Sequence, residues 1–81
     1  MKNNKTIKDD YPMLVFAAEE GGYVAEIPTL KGCLAQGDTL QECLEELELV
    51  KSLWLETARM NNEPLPDADK IVKKVRAVLA A

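Results

Sequence analysis

Residues 21–42 read GGYVAEIPTLKGCLAQGDTLQE, and the turn signals within this stretch decide the fold. Gly21 and Gly22 supply the positive φ angles that a tight hairpin turn demands. A strand over 23–27 follows, and the proline after it stops the pairing because proline has no amide to donate. The apolar run over 13–18 has the length and side chains of the strand before the turn. The sequence therefore predicts a β-hairpin.

The second half of the stretch predicts a third strand and then a helix. Gly32 turns the chain into a strand over 33–36. Thr39 and Glu42 form a capping box, in which each side chain accepts a hydrogen bond from the backbone amide of the other residue. Apolar residues then recur at three- and four-residue steps up to about Met60, so one side of the helix is expected to pack on the sheet. The residues predicted for that side are Leu40, Cys43, Leu44, Leu47, Val50, Trp54 and Ala58.

The C-terminal segment, 67–81, fits two structures. Val75, Ala77 and Leu79 alternate as in a strand. The alanines and lysines of the segment favour a helix, and the residues that fit one helix face are Ile71, Val75, Val78 and Leu79. The predicted class is α+β: a three-stranded antiparallel sheet with one long helix packed on one face, and a fourth strand or a short helix at the C-terminus.

Length and composition limit the number of domains and the classes of partner. Eighty-one residues, 47% of them hydrophobic, make one small domain, and we expect a flexible arm over 1–10 and a single domain over 11–81. No separate DNA-binding domain is expected. The net charge of −4 has the wrong sign for unaided binding to phosphate backbones. Since no apolar run approaches the ~20 residues of a membrane span, we expect a cytoplasmic protein.

The side chains needed for catalysis are scarce. The sequence has no histidine, which is the commonest general base and metal ligand. Glu26 is the only acidic residue within the predicted strands, so no carboxylate cluster for a pair of metal ions is expected. Cys33 and Cys43 are expected to be small buried hydrophobic residues. The sequence therefore predicts no enzyme activity, no metal and no cofactor.

Two features indicate a binding surface. Between residues 38 and 56 six acids and one base give a charge of −5, which suits either a solvated helix face or a docking surface for a basic partner. The strand over 13–18 is apolar on both faces, and Leu49, Leu53 and Met60 lie off the main helical stripe, so we expect a homodimer or a larger oligomer. The candidate partner-binding residues are Glu42, Glu45, Glu46, Glu48, Leu49 and Leu53.

Short motifs along 11–66 resemble the HicB antitoxin family in their order and spacing. They are Tyr11-Pro12, EEGGYV at 19–24, IPTLKGC at 27–33, AQGDTLQE at 35–42, Trp54-Leu55 and EPLP at 63–66.

The resemblance implies a partial RNase H-like fold in the order β-β-β-α-β, without that fold's catalytic carboxylates. Members of the HicB family typically neutralise HicA, a small basic toxin that cleaves messenger RNA, so a HicA-like toxin is the implied partner. Many members continue into a DNA-binding domain, which we do not expect from the fifteen residues after Pro66. Two alternatives stay open: an orphan module that dimerises or binds another protein, and a residual RNase H-like nuclease.

Overall fold

A computed structural model of the protein describes residues 10–80, and the arm predicted over 1–10 falls almost wholly outside the described residues. The elements are β1 (Leu14–Ala17), β2 (Tyr23–Glu26), β3 (Leu34–Gly37), α1 (Leu40–Met60) and α2 (Ala68–Ala80). The strands form one antiparallel sheet in the order β1-β2-β3. The predicted α+β class is confirmed, and the strand ends differ from the predicted ones by one residue.

The connections between the strands follow the glycine positions. Gly21 and Gly22 adopt φ angles of 105° and 79° in the hairpin turn, and Gly32 adopts 84° in the bend between β2 and β3. The bend is closed by the amide of Ile27, which donates to the carbonyl of Cys33 at 3.0 Å. The left-handed conformation at these positions costs glycine little and any other residue more.

The start of α1 is fixed by its cap and by a close approach to the sheet. The amide of Glu42 donates to Thr39 Oγ1 at 3.1 Å, and the amide of Thr39 donates to Glu42 Oε1 at 3.2 Å, so the predicted capping box is confirmed. A Cβ atom at Gly37 would lie 2.6 Å from the backbone nitrogen of Cys43. The first turn of α1 therefore rests directly on the backbone at the end of β3.

The core lies between α1 and the two strands beneath it, β2 and β3. Two of the predicted packing residues, Leu40 and Leu44, are instead 45% and 36% exposed. Leu55, which the periodicity did not select, is buried in a cluster with Tyr11 and Ala68, because segments from both ends of the domain extend the core past the sheet. The other members of this buried cluster are Ala25, Ile27, Leu30, Cys33, Ala35, Cys43 and Leu47.

The final element is a helix, and the fourth strand implied by the resemblance is wrong. Asp67 Oδ1 accepts from the amide of Lys70 at 3.3 Å, as an N-cap does. Lys73 pairs with Asp69 one turn away at 3.2 Å. These local interactions and the helix-favouring alanines and lysines outweigh the strand preference of the valines. As a result β1 pairs only with β2 within the described residues.

Cys33 and Cys43 are free thiols with fully buried side chains, as predicted for small hydrophobic residues. Burial raises the pKa of the Cys33 thiol, and the positive charge of Lys51 opposes part of that effect. Protonated Cys33 is therefore favoured in the folded chain.

We expect the two thiols to react with iodoacetamide at least ~100-fold more slowly in the folded chain than in urea, since alkylation requires the core to open. Because the folded pKa of Cys33 is raised, stability should be retained below the unfolded thiol pKa of about 8.5 and decline as the pH rises toward the folded value. Alkylation followed by mass spectrometry at several pH values measures the first effect, and urea unfolding measures the second. Equal alkylation rates with and without urea would contradict the buried positions.

Candidate partner-binding surface

The side of α1 that points away from the sheet carries a second apolar stripe. Leu49, Leu53 and Met60 are 63%, 64% and 77% exposed. Their spacing of four and seven residues aligns them along one side of the helix. Glu45 and Glu46 flank the stripe, while Glu42 and Glu56 lie along its line, seven residues before and after Leu49. Together these residues are called the outer face of α1. The outer face consists of Leu49, Leu53, Met60, Glu42, Glu45, Glu46 and Glu56.

Hydrogen bonds along the helix hold two of these glutamates. The carboxylate of Glu42 accepts from the Thr39 amide in the capping box, and Glu45 Oε2 accepts from Gln41 Nε2 at 3.1 Å. Both carboxylates remain exposed at the surface. The outer face therefore combines an apolar stripe with fixed negative charge.

Glu48, a predicted partner-binding residue, lies apart from the others. At 3.6 residues per turn it is about a third of a turn round α1 from the line of Leu49 and Leu53. It forms an ion pair with Lys51 at 3.2 Å, which offsets its charge. The fold thus brings five of the six candidates onto one surface and places Glu48 beside it.

The sheet presents a separate apolar surface on its far side. Leu14, Phe16 and Leu34 are 56%, 53% and 52% exposed there. Val15 points to the opposite side and is still 38% exposed, because α1 lies over β2 and β3 and leaves β1 uncovered. This confirms the exposed apolar strand expected from the sequence. The far side, called the open sheet face, consists of Leu14, Phe16, Val24, Glu26, Leu34 and Gln36.

A third exposed surface, on α2, was not identified from the sequence. Val75, Val78 and Leu79 are 39%, 73% and 78% exposed on one side of this helix. Four bases and one acid give α2 a charge of +3. The signal in the sequence is the helical spacing of apolar residues among the lysines of this segment.

The remaining sequence candidates are structural. Gly21, Gly22 and Gly32 shape the two turns, and Thr39 caps α1. Within residues 10–80 no group of three or more Cys, Asp or Glu side chains is arranged to hold a metal ion. No described helix is long and apolar enough to cross a bilayer.

Known proteins similar to this chain identify its family. The UPF0150-like family model matches residues 14–66, which contain the sheet and α1. A UPF0150 protein of Synechocystis sp. is 53% identical over 72 residues, 89% of this chain and 99% of that protein. A second UPF0150 protein of that organism is 38% identical over 64 residues, 79% of this chain and 81% of its own length. A UPF0150 protein of Thermoplasma acidophilum is 32% identical over 56 residues, 69% of this chain and 81% of its own length. The chain therefore belongs to the UPF0150-like family.

Proposed function

We propose that this chain is a HicB-like antitoxin module that neutralises a small basic HicA-like toxin by binding it through the outer face of α1. The observation that carries the proposal is the apolar stripe of Leu49, Leu53 and Met60 set among four exposed glutamates. The motifs that resemble the HicB family indicate the class of partner, a HicA-like toxin. In this role the chain binds and covers its partner and performs no reaction of its own.

The charge of the outer face suits a partner that binds RNA. Such a protein needs lysines and arginines to hold the phosphate backbone, so its RNA-binding groove is basic. The glutamates of the outer face attract that groove, and the two leucines become buried when the surfaces meet. A toxin bound in this way has its RNA-binding surface covered.

The proposal is tested by co-expression with the product of the neighbouring gene, where that gene encodes a short basic protein with a catalytic histidine. The neighbouring protein should stop growth when expressed alone. Growth should return when this chain is co-expressed, and the two proteins should co-purify. Failure to restore growth, or to co-purify, contradicts the proposal and favours the orphan module.

Replacing Glu42, Glu45, Glu46 and Glu48 by glutamine should slow association with the toxin about tenfold at low salt, because exposed charges steer the encounter of two proteins. Association should also become less sensitive to salt, since screening acts on charges within about 8 Å at physiological ionic strength. The fold should be unaffected, because glutamine also completes a capping box at position 42. Stopped-flow or biosensor kinetics at several salt concentrations measure both effects.

The matched control changes the same number of acids that are not part of the outer face. Asp10→Asn with Glu19→Gln, Glu26→Gln and Asp67→Asn alters the net charge equally but leaves the outer face intact. Its association rate should stay within about twofold of the unmodified chain, because steering depends on charge near the contact. If both variants slow association equally, net charge alone sets the association rate, and the outer face is not the binding surface.

One observation favours the second candidate, an orphan module that dimerises. The open sheet face and α2 both expose large apolar side chains that the outer face of α1 does not explain. Contiguous apolar surface of this kind marks contacts between proteins. Sedimentation equilibrium at micromolar concentration tests for dimerisation, and a species of 9.0 kDa that does not change with concentration would contradict it.

A further inference from the structure

Most of the helix α2 has no packing partner among residues 10–80. Its first turn is anchored, since Ala68 is 1% exposed and Ile71 packs against the core. Beyond that turn Val75, Val78 and Leu79 are exposed, and no Cα atom of α2 lies within 8 Å of a Cα atom in another of the described helices and strands. An isolated helix of thirteen residues is only marginally stable in water, so its apolar side needs a cover.

The charge of α2 identifies the surface that fits it. Lys74 and Arg76 lie on opposite sides of its apolar stripe, and the whole helix carries +3. A complementary surface must be apolar along its middle and acidic at its edges. The outer face of α1 meets both conditions, with Leu49 and Leu53 in the middle and Glu45 and Glu46 on either side. Among the residues of the open sheet face only Glu26 is acidic.

The outer face of the same chain is out of reach for α2. Ala68 is buried on the core side of α1, and the outer face is on the opposite side of that helix. The linker before α2 is also held against the core, because the Tyr11 hydroxyl donates a hydrogen bond to the carbonyl of Pro66 at 2.6 Å. A second copy of the chain does not have this restriction.

We infer that the chain forms a two-fold symmetric dimer in which α2 of each copy packs on the outer face of α1 of the other. Val75, Val78 and Leu79 then contact Leu49 and Leu53, while Lys74 and Arg76 face the flanking glutamates. The lengths agree: Val75 to Leu79 on α2 and Leu49 to Leu53 on α1 each extend about 6 Å at 1.5 Å per residue. The symmetry uses this contact twice, as an isologous interface requires.

In this dimer the outer face of each copy is covered by the basic helix α2 of the other copy. A basic toxin that binds the same face has to displace α2. The dimer does not rest on the proposed function, because it requires no toxin and is tested in the purified chain.

A charge-exchange experiment tests the inference with two variants. In the first, Glu46→Lys and Glu56→Lys make the outer face basic; in the second, Lys74→Glu and Arg76→Glu make α2 acidic. Each purified variant should sediment as a monomer of 9.0 kDa under conditions in which the unmodified chain is a dimer of twice that mass. An equal mixture of the two should sediment as a dimer, since both α2–α1 contacts in the mixed pair join opposite charges.

The other outcomes identify other arrangements. If both variants remain dimers on their own, the interface is elsewhere, as in pairing through β1, and the inference is wrong. If the unmodified chain is a monomer and sediments with phosphatidylserine vesicles, α2 is a membrane-binding helix and the inference is also wrong. Val78→Asp is a second variant that should raise the dimer dissociation constant at least tenfold, and it leaves the fold intact because Val78 is 73% exposed.

Toxin binding separates this inference from the proposed function. Val78→Asp lies outside the outer face of α1, so it should break the dimer and still restore growth in the co-expression assay. A dimer that forms as described beside a failed growth assay contradicts the proposed function alone. Restored growth with a monomeric chain contradicts the α2 dimer alone.

Discussion

Replacing Gly37 by alanine is expected to destabilise the domain by about 3 kcal/mol, at the upper end of the usual cost of overpacking. The new Cβ atom would lie 2.6 Å from the backbone nitrogen of Cys43 and 2.9 Å from its Cα atom. Backbone atoms cannot turn aside as a flexible side chain can, so α1 has to move off β3. For a small domain with a total stability near 5 kcal/mol, most of the stability would be lost. Urea unfolding followed by circular dichroism measures the change.

Gly32→Ala is the matched control for Gly37→Ala. Gly32 adopts a φ of 84°, but a Cβ atom there would meet nothing within 4 Å. Its substitution should cost only about 1 kcal/mol, from the left-handed backbone alone. If Gly37→Ala proves no more costly than Gly32→Ala, the first turn of α1 does not rest on β3 as described.

Replacing Leu49 and Leu53 together by aspartate is expected to weaken toxin binding at least ~100-fold, equivalent to about 3 kcal/mol. Apolar side chains near the centre of an interface contribute much of the binding energy, and a buried unpaired carboxylate adds a further penalty. The effect should appear mainly as faster dissociation, because contact quality controls that rate more than the encounter does. A biosensor carrying catalytically inactive toxin measures both rates.

The control for the two leucines is Leu14→Asp with Phe16→Asp on the open sheet face. These side chains are 56% and 53% exposed, close to the 63% and 64% of Leu49 and Leu53, and the change adds the same charge. Toxin binding should be unchanged within about threefold. If this variant loses more toxin affinity than the Leu49 and Leu53 variant, the binding site is on the open sheet face and not on α1.

The local signals in the sequence predicted the turns and the start of α1 well. Gly21, Gly22, Thr39 and Glu42 act within a few residues of themselves, so their chemistry is readable without the rest of the fold. The exposed positions of Leu49 and Leu53 were also predicted, because helical spacing alone sets them apart from the packed side.

The errors came from contacts between distant segments. Leu40 and Leu44 fit the packed stripe, but α1 covers β2 and β3 only, and periodicity does not show how much sheet lies beneath a helix. Leu55 belongs to a buried cluster that also includes Tyr11 and Ala68, which are remote from it in sequence. The final helix was balanced against a strand because Val75, Ala77 and Leu79 alternate and because the resemblance implied a fourth strand after Pro66.

The most direct test of the central claim is an NMR titration of the isotope-labelled chain with catalytically inactive toxin. We expect the largest shift changes on residues of the outer face of α1, including Leu49 and Leu53. Amides of β1 and the open sheet face should change little. Changes confined to the open sheet face, with the α1 signals unmoved at saturating toxin, would contradict the account.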